Sequence, residues 1–593
     1  MRRPLTLFLV IAIFFSSMSY SQKLMDSITS SLLKMKMPTG TIRQRSADSL
    51  RSMTRLLDSF TISKDYTLNK YNTESFYIPN YDSLRSRLIR NNYTITSFGG
   101  ANSIGGTTYY SIKKDSFNYL AVITPQDQQT MVSIKPLTVS YSSQSYTQIN
   151  KIVAADRINN VDFGRSVSIS NNYAVIGLPI ENNGLDPKNP LQAAGAAYIF
   201  ERGQDNTWKQ VQKIVAADRA AGSQFGWSVG VSGNTIVVGA VYERRDATGR
   251  NEASSEGAAY VFERGSDGVW KQTQKLVSSD RSGYNYFGTS VGIDGNTIVV
   301  GAPGHSRDST ERQEGYVGDA GAVFVFEKRG NNWRRTYKLL AYDRAPGGDN
   351  TGNSVAINGD YVIAGSWGND LDANGGNRME SSGAAYIWER IGDGKWTRAQ
   401  KLVASDRSAS DEFGYSVAIN GDNAVVGARG VTLDPKDENN NGYTGEGYIF
   451  SRNENGEWKE VKAIRPADRK GGDYFGGSVG VYGNYAIVGA WRGDLKKPYI
   501  GVIYIYWKNA QGKWEQTQKI AASDEGTYAN FGTSAAIHGG FIISGSPMEW
   551  RDLAGKNEFS NSGAAYIFMR GEKAANNSST TKPPIKNPVK KTN

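Results

Sequence analysis

The chain has 593 residues, more than one ordinary single-core domain holds, so a repeat array or several domains are expected. It contains no cysteine, which excludes disulfides, thiolate nucleophiles and cysteine-ligated zinc. The formal charge of +11 is partly carried by the two ends of the chain, and the mild bias that remains is unlike the concentrated basic face of a nucleic-acid-binding protein. No nucleic-acid partner is therefore expected.

The first residues are typical of a secretory signal peptide. Two arginines precede an apolar run, Leu5 to Phe15, that is too short to span a bilayer. A small residue, Ser21, precedes the expected cleavage point before Gln22. We predict a signal peptide over 1–21 and a secreted protein that resides in the periplasm, at the cell surface or outside the cell. No later segment is apolar enough to predict a transmembrane span.

Residues 22–138 predict a small α+β module that directly precedes a repeat region. The spacing of apolar residues predicts helices over Asp26–Lys36, Arg45–Phe60 and Tyr81–Arg90. Alternating apolar residues predict strands over Ser75–Ile78, Tyr93–Phe98, Thr107–Ile112, Tyr119–Ile123 and Met131–Ile134. The module is interpreted as either a docking module or a cap, and the sequence does not choose between them.

A motif of the form Phe-Gly-x-Ser-Val/Ala recurs seven times over residues 139–571. Six copies begin at Phe163, Phe225, Phe287, Phe413, Phe475 and Phe531, and a seventh begins at Thr351. The copies lie about 62 residues apart, apart from a shorter interval before the last. Each contains four runs of strand length and composition separated by turn residues, which predicts a seven-bladed β-propeller of four-stranded blades.

The two ends of the repeat region predict how the propeller closes. The last copy ends near Phe568 without the tryptophan-containing fourth strand that the other copies have. The missing strand precedes the first copy, where Tyr146–Lys151 aligns with Trp208–Lys213. We predict that Tyr146–Val153 pairs as the outer strand of the last blade and leaves no unpaired edge there.

Several residues recur once per copy and are predicted to be structural. A tryptophan of the fourth strand is expected in the core, and the glycine after each Phe is expected to let the innermost strand crowd near the axis. The tryptophans are Trp208, Trp270, Trp333, Trp396, Trp458 and Trp514. A repeated aspartate is expected to hold the connection between blades through backbone N–H groups or the adjacent arginine; these are Asp156, Asp218, Asp280, Asp343, Asp406, Asp468 and Asp524.

The tail over 572–593 is rich in lysine and proline and is predicted to be disordered.

The combination of Phe-Gly-x-Ser-Val with Val-Val-Gly-Ala-Pro at Val299–Pro303 resembles the FG-GAP repeat, the blade unit of integrin α-subunit propellers. The resemblance covers roughly residues 146–570 and implies a seven-bladed propeller with a role in adhesion or ligand binding. Many members of that family carry a calcium loop between the two inner strands. Here that turn has only two or three residues, so calcium is not expected at the family's usual position.

Ligand binding is predicted on the face formed by the long loops between the second and third strands. Those loops differ freely from copy to copy, while the strands stay alike. Four tryptophans that the repeat does not explain are candidate ligand-binding residues on that face: Trp227, Trp367, Trp491 and Trp550. They are expected either to bind a sugar or a protein partner or to pack beneath their own loops.

Two of the long loops have oxygen ligands at calcium-like spacing. Asp370, Asp372 and Asn374 form the front half of a calcium loop, although the twelfth position is Ser381. Asp437, Asn439 and Asn441 form a similar and less charged pattern. Possible calcium is thus the one cofactor expected, with a simple turn as the alternative at each loop.

The sequence favours a secreted, non-enzymatic propeller that binds an extracellular or envelope protein or glycan. Only two histidines occur, His305 and His538, and no metalloprotease motif is present. Two alternatives remain: a carbohydrate-active enzyme that uses acidic loop residues, and a structural subunit of an envelope assembly held through the N-terminal module.

Overall fold

The fold is given by a computed structural model that describes five segments near the N-terminus and most of 145–571. The five segments are 74–78, 94–99, 108–114, 117–126 and 129–136, and the later region has gaps at 171, 282, 308–316, 345–346, 392–394, 433–441, 494–498, 510, 525–528 and 556–558. Contacts divide the chain between Ser140 and Tyr141 into two units.

In the first unit, five antiparallel strands form one sheet. They are β1 (Glu74–Ile78), β2 (Thr94–Gly99), β3 (Thr108–Lys114), β4 (Phe117–Gln126) and β5 (Gln129–Pro136). The sheet order is β1-β5-β4-β3-β2, so β2 to β5 form a meander and β1 is added beside β5. Each strand predicted in this module overlaps one of these five. The predicted helices Asp26–Lys36, Arg45–Phe60 and Tyr81–Arg90 lie outside the described residues, as do the signal peptide and the tail.

The second unit consists of seven four-stranded antiparallel sheets. Blade one contains β7 (Ser166–Ile169), β8 (Tyr173–Leu178), β9 (Ala196–Arg202) and β10 (Trp208–Ile214); blade two contains β11 (Phe225–Ser232), β12 (Thr235–Ala240), β13 (Ala258–Arg264) and β14 (Trp270–Leu276); blade three contains β15 (Ser290–Asp294), β16 (Thr297–Ala302), β17 (Ala322–Arg329) and β18 (Asn332–Leu339). Blade four contains β19 (Val355–Asn358), β20 (Tyr361–Ser366), β21 (Ala384–Ile391) and β22 (Lys395–Leu402); blade five contains β23 (Phe413–Asn420), β24 (Asn423–Ala428), β25 (Glu446–Arg452) and β26 (Trp458–Ile464); blade six contains β27 (Phe475–Tyr482), β28 (Tyr485–Ala490), β29 (Val502–Lys508) and β30 (Trp514–Ile520).

Blade seven is completed by a strand from before blade one. It contains β31 (Ser534–His538), β32 (Phe541–Ser546) and β33 (Ala564–Arg570), and β6 (Tyr146–Ile152) pairs with β33 as the outer strand. In that pairing Tyr146 lies opposite Arg570 and Ile152 lies opposite Ala565. The first strands of neighbouring blades contact one another around the whole circle, including β31 with β7. The predicted closed seven-bladed propeller and its N-terminal closing strand are therefore confirmed.

The core lies in the seams between neighbouring blades. Phe163 packs edge-on against Tyr198 and Phe200 of blade one, with ring centroids 5.5 and 6.3 Å apart. The same apolar cluster includes Phe541 and Ile567 of blade seven. The six repeated fourth-strand tryptophans are 1–8% exposed. Their predicted core role is thus confirmed, and Tyr146 takes the equivalent place in blade seven.

The glycine after each Phe has a different role from the predicted one. Gly164 has a φ of +96°, and a Cβ there would lie 2.5 Å from the carbonyl oxygen of Ala564 in the preceding blade. That oxygen belongs to β33, which is the third strand of its blade rather than the innermost one. The glycine therefore allows a left-handed backbone and a close approach to the neighbouring blade, rather than crowding at the axis.

Candidate functional site

The loop face comprises the connections between blades and the loops between the second and third strands of each blade. These two sets of loops meet: in the connection before blade one, the backbone N–H of Asn160 donates to Ser560 of the blade-seven loop at 2.7 Å. The Arg157 guanidinium donates to the Trp550 carbonyl oxygen in the same loop at 3.0 Å. The prediction that both loop sets share one face is confirmed by these contacts.

Six of the seven blade connections carry an aspartate–arginine pair, and the pair before blade one joins two blades through partners that differ from those predicted. Asp156 accepts hydrogen bonds from the Tyr198 hydroxyl at 2.8 Å and the Lys213 ammonium at 2.6 Å, both in the blade that follows. Arg157 instead reaches the loop of the preceding blade. The prediction that Asp156 binds backbone N–H groups or the adjacent arginine is wrong in its partners, although the residue does hold the connection in place.

Buried ionisable groups repeat from blade to blade beneath the loop face and form closed networks. Burial alone would raise the pKa of Glu243, but hydrogen bonds from Arg245 and Ser223 and the charge of Lys275 lower it to about 2. In blade three His305 takes the place of this glutamate, and its Nε2 lies 2.7 Å from Asp280. These groups are bound to partners within the fold, and their recurrence in several blades indicates a structural role.

Two buried aspartates of the blade connections are less well compensated by charge. Burial raises the pKa of Asp411 to about 6, although a hydrogen bond from the backbone N–H of Ser408 acts to lower it. Burial likewise raises the pKa of Asp473, which accepts the backbone N–H of Lys470 at 2.7 Å. Because both carboxylates accept a backbone N–H three residues earlier, each closes its own turn.

Two backbone positions near the loop face have positive φ in all seven copies. One lies immediately before the Phe or Thr that begins each motif, at Asp162, Gln224, Tyr286, Asn350, Glu412, Tyr474 and Asn530. The other lies two residues before the glycine that precedes each third strand, at Ala193, Ser255, Asp319, Ser381, Tyr443, Tyr499 and Asn561. Left-handed backbone favours Gly, Asn and Asp and disfavours bulky residues. Tyrosine at four of these positions, and at Tyr284 with φ +60°, is therefore not explained by backbone geometry.

One group of these tyrosines forms an aromatic stack at the junction of blades five and six. We call Tyr443, Tyr474, Trp491, Arg492 and Tyr499 the blade-six stack. The ring centroids of Tyr443 and Tyr474 lie 5.1 Å apart at 21°, and those of Tyr474 and Trp491 lie 4.6 Å apart at 24°. The Arg492 guanidinium lies over the Trp491, Tyr474 and Tyr499 rings at 4.5, 5.2 and 5.2 Å. Tyr443 and Tyr499 are 45% and 38% exposed, so the group reaches the surface.

A glycine makes room for the blade-six stack. Gly477 is the variable residue of its Phe-Gly-x-Ser motif, where other blades carry residues such as Arg165, Trp227 and Tyr415. A Cβ on Gly477 would lie 2.9 Å from Cδ1 of Trp491. The absence of a side chain therefore lets the indole lie against the start of the inner strand.

A second aromatic group spans blades one to three. The Arg165 guanidinium lies over the Trp227 ring at 4.7 Å, and Trp227 contacts Tyr242 edge-on at 6.2 Å. Tyr242 contacts Tyr286 at 6.0 Å, and Tyr286 contacts Tyr284 at 6.5 Å. We call these five residues the blade-two string. Unlike the blade-six stack, it is built from edge-on contacts, so its rings do not form one parallel column.

The four candidate tryptophans do not form one site. Trp491 and Trp227 belong to the blade-six stack and the blade-two string, respectively. Trp367 is half-buried, and within the described residues its ring has no aromatic or cationic partner. Trp550 is 40% exposed in the blade-seven loop. The arrangement thus offers two separate aromatic surfaces, and the ligand-binding role of all four tryptophans stays a prediction.

The tyrosines and arginines of the two groups were not predicted from the sequence. The signal that could have identified them is the alignment of the seven copies at the two positions described above. Most copies carry small or polar residues there, whereas Tyr286, Tyr443, Tyr474 and Tyr499 do not fit that pattern.

The first calcium-like loop is held by N–H donors. The Asp372 carboxylate accepts hydrogen bonds from the backbone N–H groups of Asn374 and Gly376, both at 2.9 Å. Asp370 accepts the backbone N–H of Ser381 at 2.7 Å and pairs with Arg378 at 3.0 Å. No group of three or more histidine or acidic side chains suited to a metal ion occurs in the described part of the chain. These bonds explain both aspartates as turn residues, and calcium at this loop stays a prediction.

The second calcium-like loop, with Asp437, Asn439 and Asn441, lies outside the described residues. Within the part of the chain that the structure describes, no helical segment has the length and apolar character needed to cross a bilayer.

Comparison with known proteins identifies the repeat. The model of the FG-GAP repeat matches seven segments, which together cover more than half of the chain: 146–200, 208–262, 270–326, 333–388, 396–450, 458–506 and 514–568. No curated protein matches the chain. A crystal structure of a protein from Lactobacillus plantarum is similar over 73% of this chain and 98% of its own, with 12% identity and a TM-score of 0.36.

Proposed function

Because the chain belongs to the FG-GAP repeat family, whose propellers fit a binding or adhesion role in general, we propose that it is an exported binding protein whose loop face recognises a glycan or a protein partner. The N-terminal segment supports export, since its short apolar run after two arginines matches a signal peptide. Intact-mass analysis of the protein from its native envelope tests export and should find a chain that begins at Gln22.

The observation that carries the proposal is the placement of tyrosines on left-handed backbone of the loop face. A non-glycine residue there costs about 1 kcal/mol or more, and such strain persists where the surrounding structure or the function requires it. Tyr443 and Tyr499 stand where other blades carry Ala, Ser, Asp or Asn, and both remain exposed. Core packing therefore does not account for them, whereas aromatic side chains with a polar edge are well suited to binding surfaces.

The buried acidic groups support a binding protein over an enzyme. Glu243 and its counterparts are bound to lysine and arginine inside the blades, and FG-GAP propellers are usually non-enzymatic. A glycosidase needs two carboxylates that face a shared substrate. Among the described residues, the buried carboxylates recur as blade-to-blade structural elements instead.

The experiment is ligand capture on a glycan array and from native envelope proteins, using wild type with Trp491→Ala and Trp227→Ala. A matched control is Leu185→Ala, since Leu185 is an exposed apolar residue of the blade-one loop outside both aromatic groups. We expect at least one tryptophan variant to lose a ligand that the control retains. Ligand binding that survives both tryptophan changes and is lost on deletion of 22–138 would contradict the proposal and favour a subunit held through the N-terminal module.

A further inference from the structure

We infer that the blade-six stack is a binding site for an acidic polysaccharide, in which the aromatic rings stack on a sugar ring and Arg492 binds its carboxylate or sulfate group. This inference rests on the proposed function and names the ligand class of one surface within it.

The charge of Arg492 is the first observation. Its guanidinium lies over three rings, and within the described residues no carboxylate is in ion-pair contact with it. Two other loop-face arginines are neutralised by carboxylates: Arg245 pairs with Glu243 at 2.9 Å, and Arg429 pairs with Glu412 at 2.6 Å. A cation that is fixed by aromatic rings, but has no anionic partner among the described residues, is available to an anionic ligand.

The surroundings of Arg492 favour a planar anion. A guanidinium presents paired N–H donors that match a carboxylate or sulfate, and such charge-assisted hydrogen bonds are among the strongest in proteins. The half-buried rings of Tyr474 and Trp491 replace water beside the guanidinium, which strengthens its interaction with an opposite charge. The rings also restrict the side chain, so less conformational entropy is lost on binding.

The ring geometry favours a sugar over an acidic peptide. Tyr443, Tyr474 and Trp491 are nearly parallel, and Tyr443 stands at the end of the column, where its other face has no ring partner among the described residues. A flat aromatic face next to a guanidinium is complementary to a pyranose ring that carries its acid group on the same residue. An acidic peptide matches the charge of the site but offers no comparable flat ring.

The repeat provides an internal comparison for this assignment. Blade five has a similar pair in Arg429 and Tyr415, 3.5 Å from guanidinium carbon to ring centroid, but Glu412 neutralises the arginine. The blade-two string also has an arginine over a tryptophan, but its other rings meet edge-on. Among the described residues, parallel rings and an arginine without an ion pair therefore coincide at the blade-six stack.

The test measures binding of oligosaccharides to the full-length mature protein by calorimetry. The acidic probes are oligogalacturonate, alginate and heparin oligosaccharides. The uncharged probes are a neutral glucan and the methyl ester of oligogalacturonate, which keeps the sugar rings of the acid but lacks their charge. We expect wild type to bind at least one acidic probe about tenfold or more tightly than the uncharged probes, and this preference to weaken with added salt. Arg492→Gln should remove the preference, and Trp491→Ala should remove binding.

The control is Arg244→Gln, which removes a loop-face arginine that pairs with Glu252 at 3.6 Å outside the stack. It should keep the preference for acidic probes, and thermal unfolding should confirm that all variants fold. Absence of binding to every acidic probe would overturn the inference, as would binding that Arg492→Gln leaves unchanged. A neutral glycan or an acidic protein bound through Trp491 would also overturn the inference while leaving the proposed function intact. If the wild-type protein binds no ligand through its loop face, both the inference and the proposed function are overturned.

Discussion

Truncating Tyr146 tests whether the propeller is closed by its N-terminal strand in solution. Tyr146 is 2% exposed, and its ring packs edge-on against Tyr485 of blade six with centroids 5.6 Å apart. Its backbone N–H and carbonyl also form hydrogen bonds of 2.8 and 2.7 Å with the Gln518 side chain. Removing a buried aromatic side chain costs about 3–5 kcal/mol, and Tyr146→Ala should therefore destabilise the protein by that amount.

The matched control is Trp458→Ala, because Trp458 occupies the equivalent place in blade five and its backbone is held in the same way by Gln400. Both variants should lower the urea midpoint to a similar extent, since each opens one seam of a closed ring. Tyr146→Ala should in addition speed amide hydrogen exchange in β33, whose edge β6 covers. A cost below about 1 kcal/mol for Tyr146→Ala, beside a cost of 3–5 kcal/mol for Trp458→Ala, would show that β6 does not complete blade seven.

Two further predictions concern buried groups. Burial lowers the pKa of His538 to about 4. Between pH 6.5 and 4, His538 is therefore protonated in the unfolded chain but mostly neutral in the folded chain. The contribution of the neutral His538 to the free energy of unfolding is present above pH 6.5 and falls by about 1–3 kcal/mol towards pH 4. The difference in unfolding free energy between wild type and His538→Gln, measured by urea unfolding, should therefore change by this amount over that range. A difference that does not change with pH would show that the ring is freely hydrated. In blade four Thr351 replaces the motif Phe, and Trp388 replaces the Phe found in most other third strands. Thr351→Phe should cost about 1–3 kcal/mol by overpacking, and adding Trp388→Phe should recover part of it in a double-mutant cycle, whereas strict additivity would contradict this compensation.

The fold could be predicted because its constraints are local and repeated. Four strand-length runs separated by turns, occurring seven times, define a propeller, and the missing fourth strand of the last copy predicts the closing role of Tyr146. The partners of the repeated aspartates could not be predicted in the same way. Tyr198 and Lys213 lie in the third and fourth strands after Asp156, so their contact with it depends on the arrangement of the whole blade. Proximity in the sequence favours the adjacent Arg157 instead.

The candidate site was predicted less completely because its signal lies in backbone conformation. Trp227 and Trp491 stand out by residue type, and both belong to aromatic groups. Tyr443 and Tyr474 are unremarkable in a tyrosine-rich chain until their positive φ is known. Their proximity also depends on two adjacent blades, since Tyr443 belongs to the blade-five loop and Tyr474 to the connection that follows that blade.

Departures from the repeat therefore differ in what they indicate. Thr351 departs from the motif inside the core, where its hydroxyl lies 2.9 Å from that of Ser366 and a larger third-strand residue, Trp388, accompanies it. Such a pair of opposite size changes preserves packing and requires no ligand. Tyr443 and Tyr499 depart from the repeat on strained backbone and remain 45% and 38% exposed, so they do not contribute to the core as Trp388 does. A departure that the fold compensates is explained by stability, whereas one that the fold does not compensate is the kind that we propose to explain by ligand binding.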